Sequence, residues 1–79
     1  MSVNLRKANL HRTNLKGTIL ERVNLSEANL NLAGLFATNL SGANLNGADL
    51  TEAEFNGANL QGADLTGAKG MEGARLSRD

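Results

Sequence analysis

The chain has 79 residues with zero formal net charge, and Leu, Ala, Asn and Gly supply 45 of them. It contains no Cys, Trp, Tyr or Pro, which excludes a disulfide framework, thiolate metal sites and cysteine nucleophiles. Leu, Ile, Val and Phe total only 19, close to the boundary below which chains stay disordered and too few for an ordinary core of large side chains. No apolar run approaches the roughly 18 residues of a membrane span, and Met1 to Leu10 lack the apolar stretch of a signal peptide. A cytoplasmic location is the default expectation.

From residue 5 onward Leu recurs with a constant period of five, as Leu5, Leu10, Leu15, Leu20, Leu25, Leu30, Leu35, Leu40, Leu45 and Leu50, then Phe55, Leu60 and Leu65. Two positions before each stands something small or β-branched, such as Val3, Ala8, Thr18, Val23, Ala33 or Ala53. Between them lies Asn or Asp in most units, and Gly is common two positions after the Leu. The unit is A-(N/D)-L-x-x, and self-similarity of this kind governs everything else in the reading.

Period five suits neither regular element. On a helix, each unit advances the angle by about 140° beyond one turn, so the Leu residues would spiral over every face. On one long strand, an odd period would alternate them between sides. The spacing requires a corner in every unit. The Ala and Leu positions then face inward from a short extended segment, and the two residues after Leu turn, with Gly supplying positive φ. The product is a solenoid of polygonal cross-section with a Leu/Ala interior.

Tandem A-(N/D)-L-x-x units over residues 3 to 68 resemble the signature of the pentapeptide-repeat proteins. The resemblance implies an all-β fold, a right-handed quadrilateral parallel β-helix with four units per coil and about three and a half coils, each stacked at about 4.8 Å. Vertical neighbours would then be matching positions four units apart, with Val3 under Val23 and Thr18 under Thr38. Leu5, Leu25, Leu45 and Leu65 would share one interior column, and Leu15, Leu35 and Phe55 another. Asn4, Asn24, Asn44 and Asp64 are expected to form a side-chain ladder. Asp49 and Lys69 become neighbours of opposite charge.

The frame fails at Gly70, and the last triplet, Ala74-Arg75-Leu76, is out of register by a single position. Residues 69–79 therefore read as a C-terminal cap or tail, with Met71 and Leu76 covering the Leu residues of the last coil. Only Met1 and Ser2 precede the first unit, so the first coil is expected to be bare. It would pack on another copy or continue a longer array. Three outward positions carry large apolar residues, Ile19, Leu32 and Phe36. Leu32 and Phe36 flank one face of the second coil beside Gly34 and Ala37; together with Ile19 they read either as drift of the repeat or as a candidate contact patch for a partner or a second copy.

Charge is segregated along the chain. Residues 1–25 hold Arg6, Lys7, Arg12, Lys16 and Arg22 against Glu21, whereas residues 26–68 hold Glu27, Asp49, Glu52, Glu54 and Asp64 with no Lys or Arg. Stacking turns sequence position into height, so the first coil is a basic ring and the later coils are acidic. Basic groups that encircle a coil, with no aromatic residues interleaved, do not suit nucleic acid.

The motifs that resemble chemistry are by-products of the repeat. Gly62 to Lys69 reads G-A-D-L-T-G-A-K, near a phosphate-binding loop, but the Lys is displaced, no hydroxyl residue follows it and no helix is expected. Asn24-Leu25-Ser26 and Asn39-Leu40-Ser41 fit the glycosylation sequon through the same periodicity. His11 is the only histidine and stands beside Arg12 at an outward position. No catalytic, cofactor or metal site is expected, and no small-molecule substrate, membrane or nucleic acid. The expected role is a non-enzymatic structural or protein-interaction module, acting through its bare first coil or the Leu32/Phe36 patch. The resemblance also implies an alternative, since some pentapeptide-repeat proteins mimic B-DNA and modulate DNA gyrase. Zero net charge and a height of about 17 Å, about half a duplex turn, count against it.

Overall fold

A computed structural model describes residues 3–71 and the backbone of Arg75–Leu76. Each unit contributes an extended segment too short to register as a strand, and the segments pair in parallel across coils. Every pair joins matching positions four units apart, and the pairs form four columns: Asn4–Asn24–Asn44–Asp64, Asn9–Asn29–Asp49–Lys69, Asn14–Gly34–Glu54 and Ile19–Asn39–Asn59. These columns mark the centres of four outward faces, numbered one to four in chain order.

Hydrogen bonds between coils repeat with the unit. From Leu5 to Leu50 the Leu amides donate upward, as from Leu5 to the Asn24 carbonyl (2.7 Å) and from Leu25 to that of Asn44 (2.7 Å). The central residue of the upper coil donates back, as from the Asn24 amide to the Val3 carbonyl (2.8 Å). A third bond joins the corners, as from Glu27 to Asn46 (2.8 Å). Backbone polar groups are thereby satisfied without long strands.

Corners are closed by a bond from the next inward residue to the Leu carbonyl, such as Ala8 to Leu5 (3.0 Å). Positive φ at the second corner residue makes each a type II turn. Glycine occupies this position at Gly17, Gly42, Gly47, Gly57, Gly62 and Gly67, but Lys7, Arg12, Arg22, Glu27, Leu32, Ala37 and Glu52 hold φ of 57° to 63° without it. Left-handed backbone costs a residue with a Cβ about 1–2 kcal/mol. Most of this strain falls in the first two coils, where the corners carry side chains.

The interior is a narrow shaft. Leu25, Leu30, Leu35, Leu40, Leu45, Leu50 and Phe55 are completely buried, with Ala28, Ala33, Ala43, Ala48 and Ala53 between them. Leu5, Leu10, Leu15, Leu20, Leu60 and Leu65 are half-buried toward the two ends. One polar side chain enters the middle of the shaft: Thr38 is fully buried, and its hydroxyl donates to the Leu15 carbonyl at 2.8 Å. That bond removes the penalty of an unpaired buried hydroxyl.

The tail departs from the frame at Gly70, where φ is +79° and a Cβ would overlap the backbone of Thr51. Only glycine passes there. Met71 is half-buried against the core. Beyond it, β2 (Arg75–Leu76) pairs in parallel with β1 (Glu54–Phe55), in the register Glu54 to Arg75 and Phe55 to Leu76. This offset exceeds four units by a single position, so Arg75 and Leu76 join the ladder of face three as a further rung. The side chain of Leu76, expected to cover the last coil, lies outside the described residues.

Two glycines separate backbone strain from simple space. A Cβ at Gly57 would meet only ordinary contacts at 3.7 Å, but its φ is +73°, whereas Gly34 has ordinary φ and a nearest neighbour at 3.7 Å. Gly57→Ala is expected to lower stability by about 1 kcal/mol and the melting temperature by about 4–8 °C. Gly34→Ala should leave stability within about 0.5 kcal/mol of the unaltered chain, read by thermal melts of the two variants.

Candidate functional site

The outward Asn and Asp residues serve the corners. Asn4, Asn9, Asn14, Asn24, Asn29, Asn39, Asn44, Asp49, Asn59 and Asp64 each accept, through Oδ1, the backbone N–H two positions on, at 2.9–3.2 Å. The expected side-chain ladder is therefore replaced in its main bond by an Asx turn within each coil, because the corner amide is nearer than the next coil's amide group. Ile19, Gly34, Glu54 and Lys69 stand at the same central position and have no side-chain oxygen at the length such a turn requires. Gly34 and Glu54 are consecutive on face three.

Face three is built rung by rung from the four-unit offset. Its lowest rung carries Arg12, Asn14 and Lys16, its middle rung Leu32, Gly34 and Phe36, and its third rung Glu52, Glu54 and Asn56. All the charged members are exposed. Leu32 (38% exposed) and Phe36 (47%) occupy the two corners of the middle rung, with Gly34 leaving a flat centre between them. Lys16 Nζ lies 5.5 Å from the Phe36 ring centroid, a cation–π contact across one coil. Ile19 (73% exposed) sits around the corner on face four, outside this surface.

The fourfold column pattern, the Leu/Ala shaft and the Asx-closed corners are one repeating unit. A family model of pentapeptide repeats matches residues 3–41 and 33–69. The chain is a pentapeptide-repeat protein. Pentapeptide-repeat proteins form right-handed quadrilateral β-helices, the architecture to which the four columns correspond. Among solved structures it is similar to Rfr23 of the cyanobacterium Cyanothece 51142, with 32% identity and TM-score 0.64 over 94% of this chain and 57% of that one. It also resembles HetL of Nostoc sp. strain PCC 7120, a protein involved in heterocyst differentiation regulation, with 37% identity and TM-score 0.53 over 92% of this chain and 36% of HetL. A pentapeptide-repeat protein of the Arabidopsis thaliana thylakoid lumen shares 31% identity at TM-score 0.52, over 95% of this chain and 55% of its own. The chain thus spans between 36% and 57% of these structures' lengths. No curated protein matches the sequence.

Elsewhere the pentapeptide-repeat surface is mostly polar, with Ile19 and Val3 as exposed apolar residues. Glu27 receives Arg6 Nη2 at 3.5 Å and Lys7 Nζ at 3.8 Å from the coil below, with all three side chains about half exposed or more. Such exposed pairs contribute little. A shallow open depression of about 290 Å³ is lined by Glu21, Arg22, Ser41, Gly42 and Gln61. Within it, Glu21 is engaged by Asn39 Nδ2 at 3.1 Å. Among the described residues no cluster of His, Asp or Glu could hold a metal ion, and no helix is long and apolar enough to cross a membrane. His11 is exposed.

Two carboxylates sense their corners. The Thr51 hydroxyl donates to Asp49 Oδ1 at 2.6 Å and the Thr51 amide at 3.1 Å. These bonds, aided by Lys69, hold Asp49 below its ordinary value of 3.8. Asp64 is lowered in the same way by the side chain and backbone of Thr66. A depressed folded pKa means stability that is complete above the ordinary 3.8 and lost as pH falls through the lower folded values. Asn keeps the acceptor oxygen and removes the proton. The variant Asp49→Asn/Asp64→Asn is therefore expected to lose less stability on acidification, read as a shallower fall in melting temperature from about pH 5 to pH 2.

Proposed function

We propose that the chain is a non-enzymatic protein-interaction module that presents face three of a β-helix of about three and a half coils. One observation carries the reading: Leu32 and Phe36 stand exposed at both corners of a single rung whose inward residues, Ala33 and Leu35, are completely buried. Two large apolar residues on one flat rung, between a basic rung and an acidic one, have the composition of a contact surface. On this convex solenoid Asp49 and Asp64 are held in corner turns, Glu21 and Glu27 are engaged by neighbouring side chains, and Glu52 and Glu54 stand exposed on face three, an arrangement that favours binding over catalysis. The regulatory involvement of HetL accords with a module that acts by binding, and a cytoplasmic location remains the working assumption.

Mimicry of DNA against gyrase is the weaker reading. Asp49, Glu52, Glu54 and Asp64 make the upper rungs acidic, but Arg6, Lys7, Arg12, Lys16 and Arg22 make the first coil basic, the wrong sign for a duplex surrogate. No change in gyrase supercoiling is expected at micromolar protein, and inhibition there would revive that reading.

The interaction reading is tested with Leu32→Asn/Phe36→Ser, both outward positions that leave the shaft intact. Cross-linked capture from the native cell extract is expected to retain a defined protein, or a second copy, with the unaltered chain and to lose it with the variant. Equal capture by both, with equal melting temperatures, would end the assignment of the face.

A further inference from the structure

The three rungs of face three differ in kind. The lowest is basic through Arg12 and Lys16, the middle apolar through Leu32 and Phe36, and the third acidic through Glu52 and Glu54. The columns align these groups: Arg12, Leu32 and Glu52 rise along one corner, and Lys16, Phe36 and Asn56 along the other. Adjacent rungs are about 4.8 Å apart, so the basic and acidic rungs are separated by about 10 Å with an apolar strip between them.

We propose that face three binds a second copy of the same chain, with the two solenoid axes antiparallel. This rests on the reading of the chain as an interaction module and names its partner. A two-fold axis lying in the interface along the middle rung reverses height and keeps each corner opposite itself. Arg12 of one copy then meets Glu52 of the other, twice, while Leu32 faces Leu32 and Phe36 faces Phe36. Such an isologous contact is closed and self-limiting. Parallel axes would instead set the basic rung against its own copy, Arg12 opposite Lys16, and Glu54 against Glu54. The charge layout therefore selects the antiparallel arrangement.

Departures from the repeat support the assignment. At the centre of the middle rung, faces one, two and four carry Asn24, Asn29 and Asn39, each closing its own corner through an Asx bond. Face three has Gly34 there, with ordinary φ and no contact closer than 3.7 Å to prevent a side chain. The fold does not demand glycine at this position. A close approach of the two apolar rungs favours it, since the middle rung then carries no central side chain, while Asn14 of one copy stands opposite Glu54 of the other on the flanking rungs. Glu54 replaces the corner-closing Asn or Asp in the rung above, and local rules broken together on one surface point to a role there. Arg75, at the next register position above Glu54, lies beyond the lowest rung of the opposing copy.

Three rungs across one face bury roughly 600–800 Å² in total, below the about 1,200 Å² of standard stable complexes, so the dimer is weak and salt-sensitive. Sedimentation equilibrium of the purified chain, from about 10 µM to 1 mM in low salt, is expected to give a dissociation constant on the order of 100 µM. Arg12→Glu or Glu52→Arg alone should weaken it about tenfold or more, and the two combined should restore it. Gly34→Lys should abolish it without lowering the melting temperature. A monomer at about 1 mM, or association indifferent to both charge reversal and Gly34→Lys, would overturn the proposal. A monomer whose Leu32/Phe36 face still captures another protein from extract removes the second copy but leaves the interaction reading intact. A monomer that captures nothing removes both.

Discussion

Everything in this molecule depends on the hydrogen bond that the Leu amides from Leu5 to Leu50 make to a carbonyl of the coil above, as from Leu5 to Asn24 and from Leu30 to Asp49. Because this bond recurs with the unit, each coil must close after the same length of chain. An inserted residue has to be absorbed at a corner, as the extra position is at Gly70, for the chain to rejoin the ladder. Regular closure turns sequence position into a column, and a column permits only residues of matching size. Leu, replaced once by Phe55, occupies one interior position and a small or β-branched residue, Ala, Thr or Val, the other, as the narrow shaft requires. The scarcity of large side chains is a consequence of cross-section.

Closure also decides where variation is tolerated. Inward positions are held by packing, and central outward positions by the Asx bond to the next corner. The two corner residues remain free to differ, subject to the left-handed backbone of the second. Side chains at these corners lean on the coil above, as Arg22 Cγ would come within 3.2 Å of a Cβ at Gly42 and Glu27 Cγ within 3.4 Å of one at Gly47. These contacts favour glycine at Gly42 and Gly47, whereas Lys7–Glu27 and Arg12–Leu32–Glu52 stack side chain on side chain. The first two coils carry charged and apolar corners, and the upper coils mostly glycine. Arg12, Lys16, Leu32, Phe36 and Glu52 are all corner residues, so the candidate surface is written in the positions that the fold leaves open.

Most of the architecture was legible because the period of five fits no straight element. The four-unit pairing followed from the resemblance, and the apolar flanks of face three from counting units around the coil. The role of the Asn residues was not legible. A column of amides suggests a ladder, and only the geometry shows that the corner N–H lies closer to each Oδ1. Nor was the route of the tail, since Ala74-Arg75-Leu76 looks merely out of frame until Gly70 is seen passing Thr51 and β2 rejoining the ladder over β1. The three-rung charge layout was latent in the spacing of Arg12, Leu32 and Glu52. Counting charge coil by coil hides it, and counting column by column brings it out.

The central claim is the register itself, and nuclear Overhauser contacts between coils test it most directly. Backbone contacts are predicted between matching positions of successive coils in all four columns, from Asn4–Asn24 to Asp49–Lys69, with the shifted pair Glu54–Arg75 at the tail. Contacts at any other constant spacing, or local contacts alone, would contradict the account.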